Sequence, residues 1–204
     1  TSGSGNTAIG YQAGLTNTTG AANTYIGHSA AVDTHADATA NVAVGKAAFG
    51  GAHGGTVSNY NTAVGEEAMG NGAVSGVDGA TAIGFKALYA LTSGARNTAV
   101  GYQALDAEDA GSHSTAIGYQ ALSAQNNDTG ANTAVGMQAG IAVVAGHSNT
   151  FVGSAAGGTI AGGTQNTYMG RDADGAAART NSTAIGYGTV GQADNSVTLG
   201  NASV

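Results

Sequence analysis

The sequence predicts an all-β chain wound as a parallel β-roll, a solenoid of about twelve coils, and three observations carry that prediction. The first is a phrase, Asn-Thr-Ala-(Ile/Val)-Gly, that returns about every 17 residues from end to end. It opens as Asn6-Thr7-Ala8-Ile9-Gly10 and comes back at Asn23, Asn41, Asn61, Ala80, Asn97, Ser114, Asn132, Asn149, Asn166 and Ser182. A shortened last copy reads Ser196-Val197-Thr198-Leu199-Gly200. A fixed period of this size belongs to stacked coils, not to a globular fold around one pocket. The second observation is the absence of proline. Where nearly every backbone N–H donates to the next coil, proline cannot serve. The third is the 36 glycines without a Gly-X-Y period, which supply turns and exclude collagen.

Each part of a coil has its own justification. Thr-Ala-Ile, bounded by Gly and Asn, is a short strand signal. Side chains alternate faces along a strand. One face carries Ile9, Ile26, Val44, Val64, Ile83, Val100, Ile117, Val135, Val152, Met169, Ile185 and Leu199, all apolar, so burial is expected there, inside the chain or around an assembly axis. The other carries mostly Ala, with Tyr25, Phe151, Tyr168 and Thr198, and does not read as solvated either. A narrow coil has one interior, so the second face calls for a symmetric oligomer, with the Ala rank letting backbones approach closely. After the glycine come Tyr11-Gln12-Ala13, Tyr102-Gln103-Ala104 and Tyr119-Gln120-Ala121, read as a second strand. Segments rich in Gly, Asn, Ser and Asp then turn the chain back. The motif asparagines are expected to stack as an amide ladder. Residues 1–191 form the repeat region. Residues 192–204 are the shortened last coil, expected to lead into a further downstream segment.

Composition removes several function classes. There is no cysteine, hence no disulfide or thiolate metal site. Only 8% of residues are charged, the formal net charge is -7, and Lys46, Lys86, Arg96, Arg171 and Arg179 are scattered, so no nucleic-acid stripe exists. No apolar run reaches transmembrane length, and no signal peptide is visible. No phosphate loop or Ser/His/Asp set stands out, so no catalysis and no cofactor are expected. Hexapeptide-coil acyltransferases would show an aliphatic residue every six positions, and here one position per coil is reliably aliphatic.

The repeated Asn-Thr-Ala-Ile-Gly phrase resembles the YadA-type head repeat of trimeric autotransporter adhesins, along nearly the whole chain. The Thr-Ala-Ile-Gly-Tyr-Gln-Ala-Leu variant is also similar to repeats in tail fibres of marine bacteriophages. The ending, residues 195–204, is similar to the stretch before an intramolecular chaperone domain in such fibres. The resemblance implies a left-handed roll, a homotrimer, intertwined or side by side, and a place outside the cell, at the cell surface or on the virion tail. It also implies attachment to a host or cell-surface glycan or surface protein, without membrane insertion of this segment. The sequence departs from the family in spacing: glycine-to-glycine intervals run from 14 (Gly186 to Gly200) to 20 (Gly45 to Gly65).

Three sets of residues are candidates for recognition. Phe85, Tyr102, Tyr119 and Met137 share one register and are expected to stack, with Gln103, Gln120 and Gln138 beside them. Exposed, such a ladder is a platform for sugar rings; covered, it fills the core or a seam between chains, the commoner fate of large ladders. The longer insertions, with His35, His53, Tyr60 and Asp78, are candidates because loops on rigid scaffolds often bind. Asp33, His35 and Asp37 alternate and would face one way in an extended segment, as a metal could use. Asp106, Glu108 and Asp109 form a second acidic turn, a candidate calcium position. A rival reading uses the threonine rank, Thr7 to Thr183, as a water-ordering, ice-binding array. The expectation drawn from all this is a non-catalytic trimeric attachment rod. The alternatives are ice binding or a purely structural surface filament.

Overall fold

A computed structural model describes residues 3–51, 55–71, 74–126 and 129–201. Among them every regular element is a strand. Ten three-residue strands come first: β1 Thr7–Ile9, β2 Thr24–Ile26, β3 Val42–Val44, β4 Thr62–Val64, β5 Thr81–Ile83, β6 Thr98–Val100, β7 Thr115–Ile117, β8 Thr133–Val135, β9 Thr150–Val152 and β10 Thr167–Met169. β12 (Ser182–Ile185) and β14 (Ser196–Leu199) continue the series, while β11 (Asp174–Gly175) and β13 (Val190–Gly191) pair separately. The twelve motif strands form one parallel sheet in chain order, motif position upon motif position, as in Thr98↔Thr115, Ala99↔Ala116 and Val100↔Ile117. The chain is a β-solenoid of about eleven turns. At about 4.8 Å per strand, the eleven intervals give a rod roughly 53 Å long.

The interior is the Ala rank, which corrects one expectation. Ala43, Ala63, Ala82, Ala99, Ala116, Ala134 and Ala184 are all 0% exposed and face the inside of their own chain. The Ile/Val rank points outward: Ile117 is 41% exposed beside the fully buried Ala116. Ala therefore does not bring chains together. The reason is room. A coil this narrow accepts small side chains on the strand and fills the rest from the opposite wall, with Leu88, Leu105 and Leu122. Where the strand carries a ring, the wall gives way. A Cβ on Gly14 would lie 2.5 Å from Tyr25 Cδ2, and one on Gly140 would lie 2.8 Å from Phe151 Cδ2.

The predicted second strand is also corrected: that segment is a run of turns. Left-handed residues stand two and four places after the motif glycine, as in Gln103 and Leu105 or Gln120 and Leu122, all with φ of 51–52°. That alternation cannot form a pleat. It aims one N–H at each neighbour instead: Gln103 donates to Phe85 O (2.9 Å) in the preceding coil, and Leu105 to Ala121 O (3.1 Å) in the next. Each left-handed L-residue costs about 1–2 kcal/mol intrinsically, and these bonds offset it. The motif glycine is a corner. Gly153 has φ +135°, and a Cβ there would sit 2.6 Å from Gly170 O.

The asparagine ladder forms as expected. Asn149 Oδ1 accepts the Asn166 backbone N–H (2.9 Å), and Asn149 Nδ2 donates to Gly163 O (2.7 Å). Asn23, Asn41, Asn61, Asn132 and Asn166 repeat the pattern, accepting a backbone N–H from the next coil and donating to a loop carbonyl. The ladder ties each strand to the loop that returns to the sheet.

Candidate functional site

The outward sheet face is built from two strand positions, Thr and Ile/Val. Across the twelve strands of that sheet it carries threonine, aliphatic residues and Met169, and no charged side chain. Parallel sheets usually have both faces covered, and among the described residues nothing in its own chain covers the outer face of this one. The central strip is roughly 53 Å long and about 10 Å wide, near 500 Å². A continuous uncharged strip of that size matches the largest patch a typical monomer exposes, and such patches are often functional.

Two further exposed ranks flank it. The residue before each motif asparagine is left-handed and exposed at Tyr60 (φ 60°), Arg96 (59°), His113 (64°), Ser148 (59°), Gln165 (59°) and Asn181 (51°). The residue after each motif glycine lines the other edge, and here the predicted aromatic ladder stands. Phe85 and Tyr102 stack with ring centroids 5.2 Å apart, Tyr102 and Tyr119 at 5.4 Å. Tyr102 is 44% exposed, Tyr119 48% and Met137 52%, so the ladder does not fill the chain's own core. Parallel rings this close are offset stacked, so each covers part of its neighbour's face. Nearly half of the Tyr102 and Tyr119 surface remains exposed. Lys86 Nζ lies 5.4 Å from the Phe85 ring centre and 4.6 Å from that of Tyr89, and pairs with Glu67 at 3.4 Å. The expected glutamine partners form an amide ladder: Gln120 Nε2 donates to Gln103 Oε1, and Gln138 Nε2 to Gln120 Oε1, each at 3.2 Å.

The loop candidates are dispersed. Asp78 accepts the Asn59 N–H (2.7 Å), and Asn59 in turn accepts that of Thr39 (2.9 Å), so Asp78 serves coil stacking. Tyr60 stands on the flanking rank, and His53 lies outside the described residues. The segment of Asp33, His35 and Asp37 is turned, not extended. His35 accepts the Asp37 N–H, Asp37 accepts the Thr19 hydroxyl, and Asp33 is exposed. Among the described residues no group of three His, Cys, Asp or Glu comes together for a metal.

Glu108 departs from the acidic-turn reading because its carboxylate is fully buried. It accepts from the Gly111 N–H (2.6 Å), the Ala110 N–H (3.2 Å) and Gln125 Nε2 (2.5 Å). Gln125 also donates to Ser114 Oγ (2.9 Å) and accepts from Asn132 Nδ2 (2.8 Å). Burial pushes the Glu108 carboxyl above the usual carboxylate range, against the pull of those donors. Sequence reasoning missed this network. Its one signal is Ser114 in an asparagine position: the shorter side chain leaves space that Gln125 fills.

No helix long and apolar enough to cross a membrane occurs among the described residues. No protein-family model, curated protein or solved structure matches the chain.

Proposed function

We propose that the chain is one strand of a homotrimeric, left-handed attachment rod. It is carried outside the cell or on a virion tail, and presents weak sites in three copies to a host or cell-surface glycan or surface protein. The observation that supports this most is the uncharged, half-exposed Thr and Ile/Val face along all twelve strands. With its flanking ranks it amounts to roughly 1,000 Å², the scale of one partner's share of a stable interface. The number three and the setting come from the resemblance of the repeat to adhesin heads and tail fibres. Low charge favours neutral polar targets over long-range capture, and three copies around a rigid axis raise avidity without new contacts.

Light scattering tests the assembly: the expected mass is three times 19.4 kDa. Ile117→Asp is expected to release folded single chains, because it charges the outward face and leaves the interior intact. A trimer that survives the substitution refutes the assigned face. Labelled trimer on host cells and a glycan array tests attachment, and binding no greater than that of heat-denatured rod refutes it. A second reading has a specific basis. In a stable monomer the same regular Thr and Ile/Val array would meet water, and thermal hysteresis of freezing is then the assay for ice binding. Neither hysteresis nor attachment would leave a structural surface filament.

A further inference from the structure

We infer that the two flanking ranks are complementary halves of one seam between copies, in which the Tyr102 and Tyr119 ladder of one chain receives Arg96 and His113 of the next. This rests on the trimer proposed above. Across each chain the outward order is the residue before asparagine, Thr, Ile/Val, and the residue after glycine. In a closed ring of parallel rods the contact is heterologous, one edge of a face meeting the opposite edge of its neighbour. With the ring axis along the rod, residues of the same coil meet at the same height. That sets Arg96 against Tyr102 and His113 against Tyr119.

The chemistry of the two edges fits. A guanidinium is planar and weakly hydrated, and its N–H groups can donate to the phenol oxygens that a stacked ladder presents at its edge. Arg96 is already steadied along its rank, with Nη1 3.2 Å from His113 Nε2. The other full cations of these ranks, Lys46 and Arg171, would face Ala40 and Gln165, so no like charges oppose each other at the same height. The ladder's rings already cover part of one another's faces, which suits an edge-on seam better than a flat sugar platform.

The chain has no cysteine, so engineered thiols report cleanly. Arg96→Cys combined with Tyr102→Cys is expected to give covalent trimers on mild oxidation, while each single variant gives none. Within one chain the two positions bracket a strand and lie roughly 15 Å or more apart, beyond the about 7 Å Cα limit of a disulfide. A variant of trimer mass that does not cross-link overturns the seam and leaves the trimer standing; a wild-type monomer overturns both. If the double variant fails to assemble, p-benzoylphenylalanine at position 102 keeps a ring in place. In mixed light and heavy chains it is expected to cross-link to residues 95–114 of the other chain. Cross-links that land elsewhere, or glycan binding through Tyr102 and Tyr119 on the assembled rod, overturn the proposal.

Discussion

Asn149→Ala is the sharpest test of what holds coil to coil. The Asn149 side chain makes four hydrogen bonds: Nδ2 to Gly163 O (2.7 Å) and Asn132 Oδ1 (3.1 Å), and Oδ1 from the Asn166 N–H (2.9 Å) and Nδ2 (3.0 Å). Two partners keep a bond after truncation. Asn132 Oδ1 retains the Asn149 N–H, and Asn166 Nδ2 retains Arg179 O (2.6 Å). Gly163 O and the Asn166 N–H are left buried without their partner. Each such group costs about 1–3 kcal/mol, so the substitution is expected to destabilise by about 2–6 kcal/mol. Denaturation followed by circular dichroism, at fixed protein concentration, gives the total. Hydrogen exchange at the Asn166 amide gives the local part. A loss below about 1 kcal/mol with unchanged exchange would refute the ladder as a principal tie, since that is the size of one ordinary hydrogen bond.

Three further outcomes follow from the same packing. Gly153→Ala combines a left-handed corner with a Cβ 2.6 Å from Gly170 O, so it is expected to lower the melting temperature far more than Gly162→Ala, where space is open; equal effects would refute the corner argument. Gly157→Leu should be severely destabilising because the new side chain enters the Phe151 ring, and Phe151→Ala in the same chain should restore stability by recreating the Ala99 and Leu105 pairing. Additive losses in that double-mutant cycle would refute size exchange. Glu108, Asp106 and Asp174 all have carboxyls raised first by burial. A raised folded pKa means that stability is fully present below the ordinary carboxylate range and is lost as pH rises through the folded value. Melting temperature is therefore expected to fall from mildly acidic to neutral pH, with a shallower fall in Glu108→Gln; an identical slope removes Glu108 from the account.

The sequence made the period, the strands, the glycine corners and the asparagine ladder readable, because each is a local demand repeated in the same register. It did not show which strand face is inside. Ala99 and Val100 are both apolar, and only the narrowness of the coil, with Leu105 filling from the far wall, turns Ala inward. The left-handed turns were hidden for another reason. Gln103, Lys86 and Leu88 have no intrinsic preference for positive φ, and inter-coil bonds impose it. The aromatic ladder was legible as a stack but not as an edge, since its place beside the outward Ile/Val rank depends on that same choice of faces. Glu108 was misplaced because an acidic turn normally faces water, and the one hint of its burial, Ser114 in an asparagine position, stands in the next motif and bonds Gln125, not Glu108 itself.

Among the described residues, backbone hydrogen bonds between coils run only to the one before and the one after, and the glycine corner fixes the hand-over while the returning loop absorbs the slack in length. Length is thus a quantity counted in whole coils. Excising residues 102–118 would bring Gly101 to Tyr119 in the same register and shorten the rod by about 4.8 Å, with all other strand pairings preserved. A gene encoding such a chain can change the reach of its product by unequal recombination between repeats, a ruler altered in single notches without redesign of any one of them.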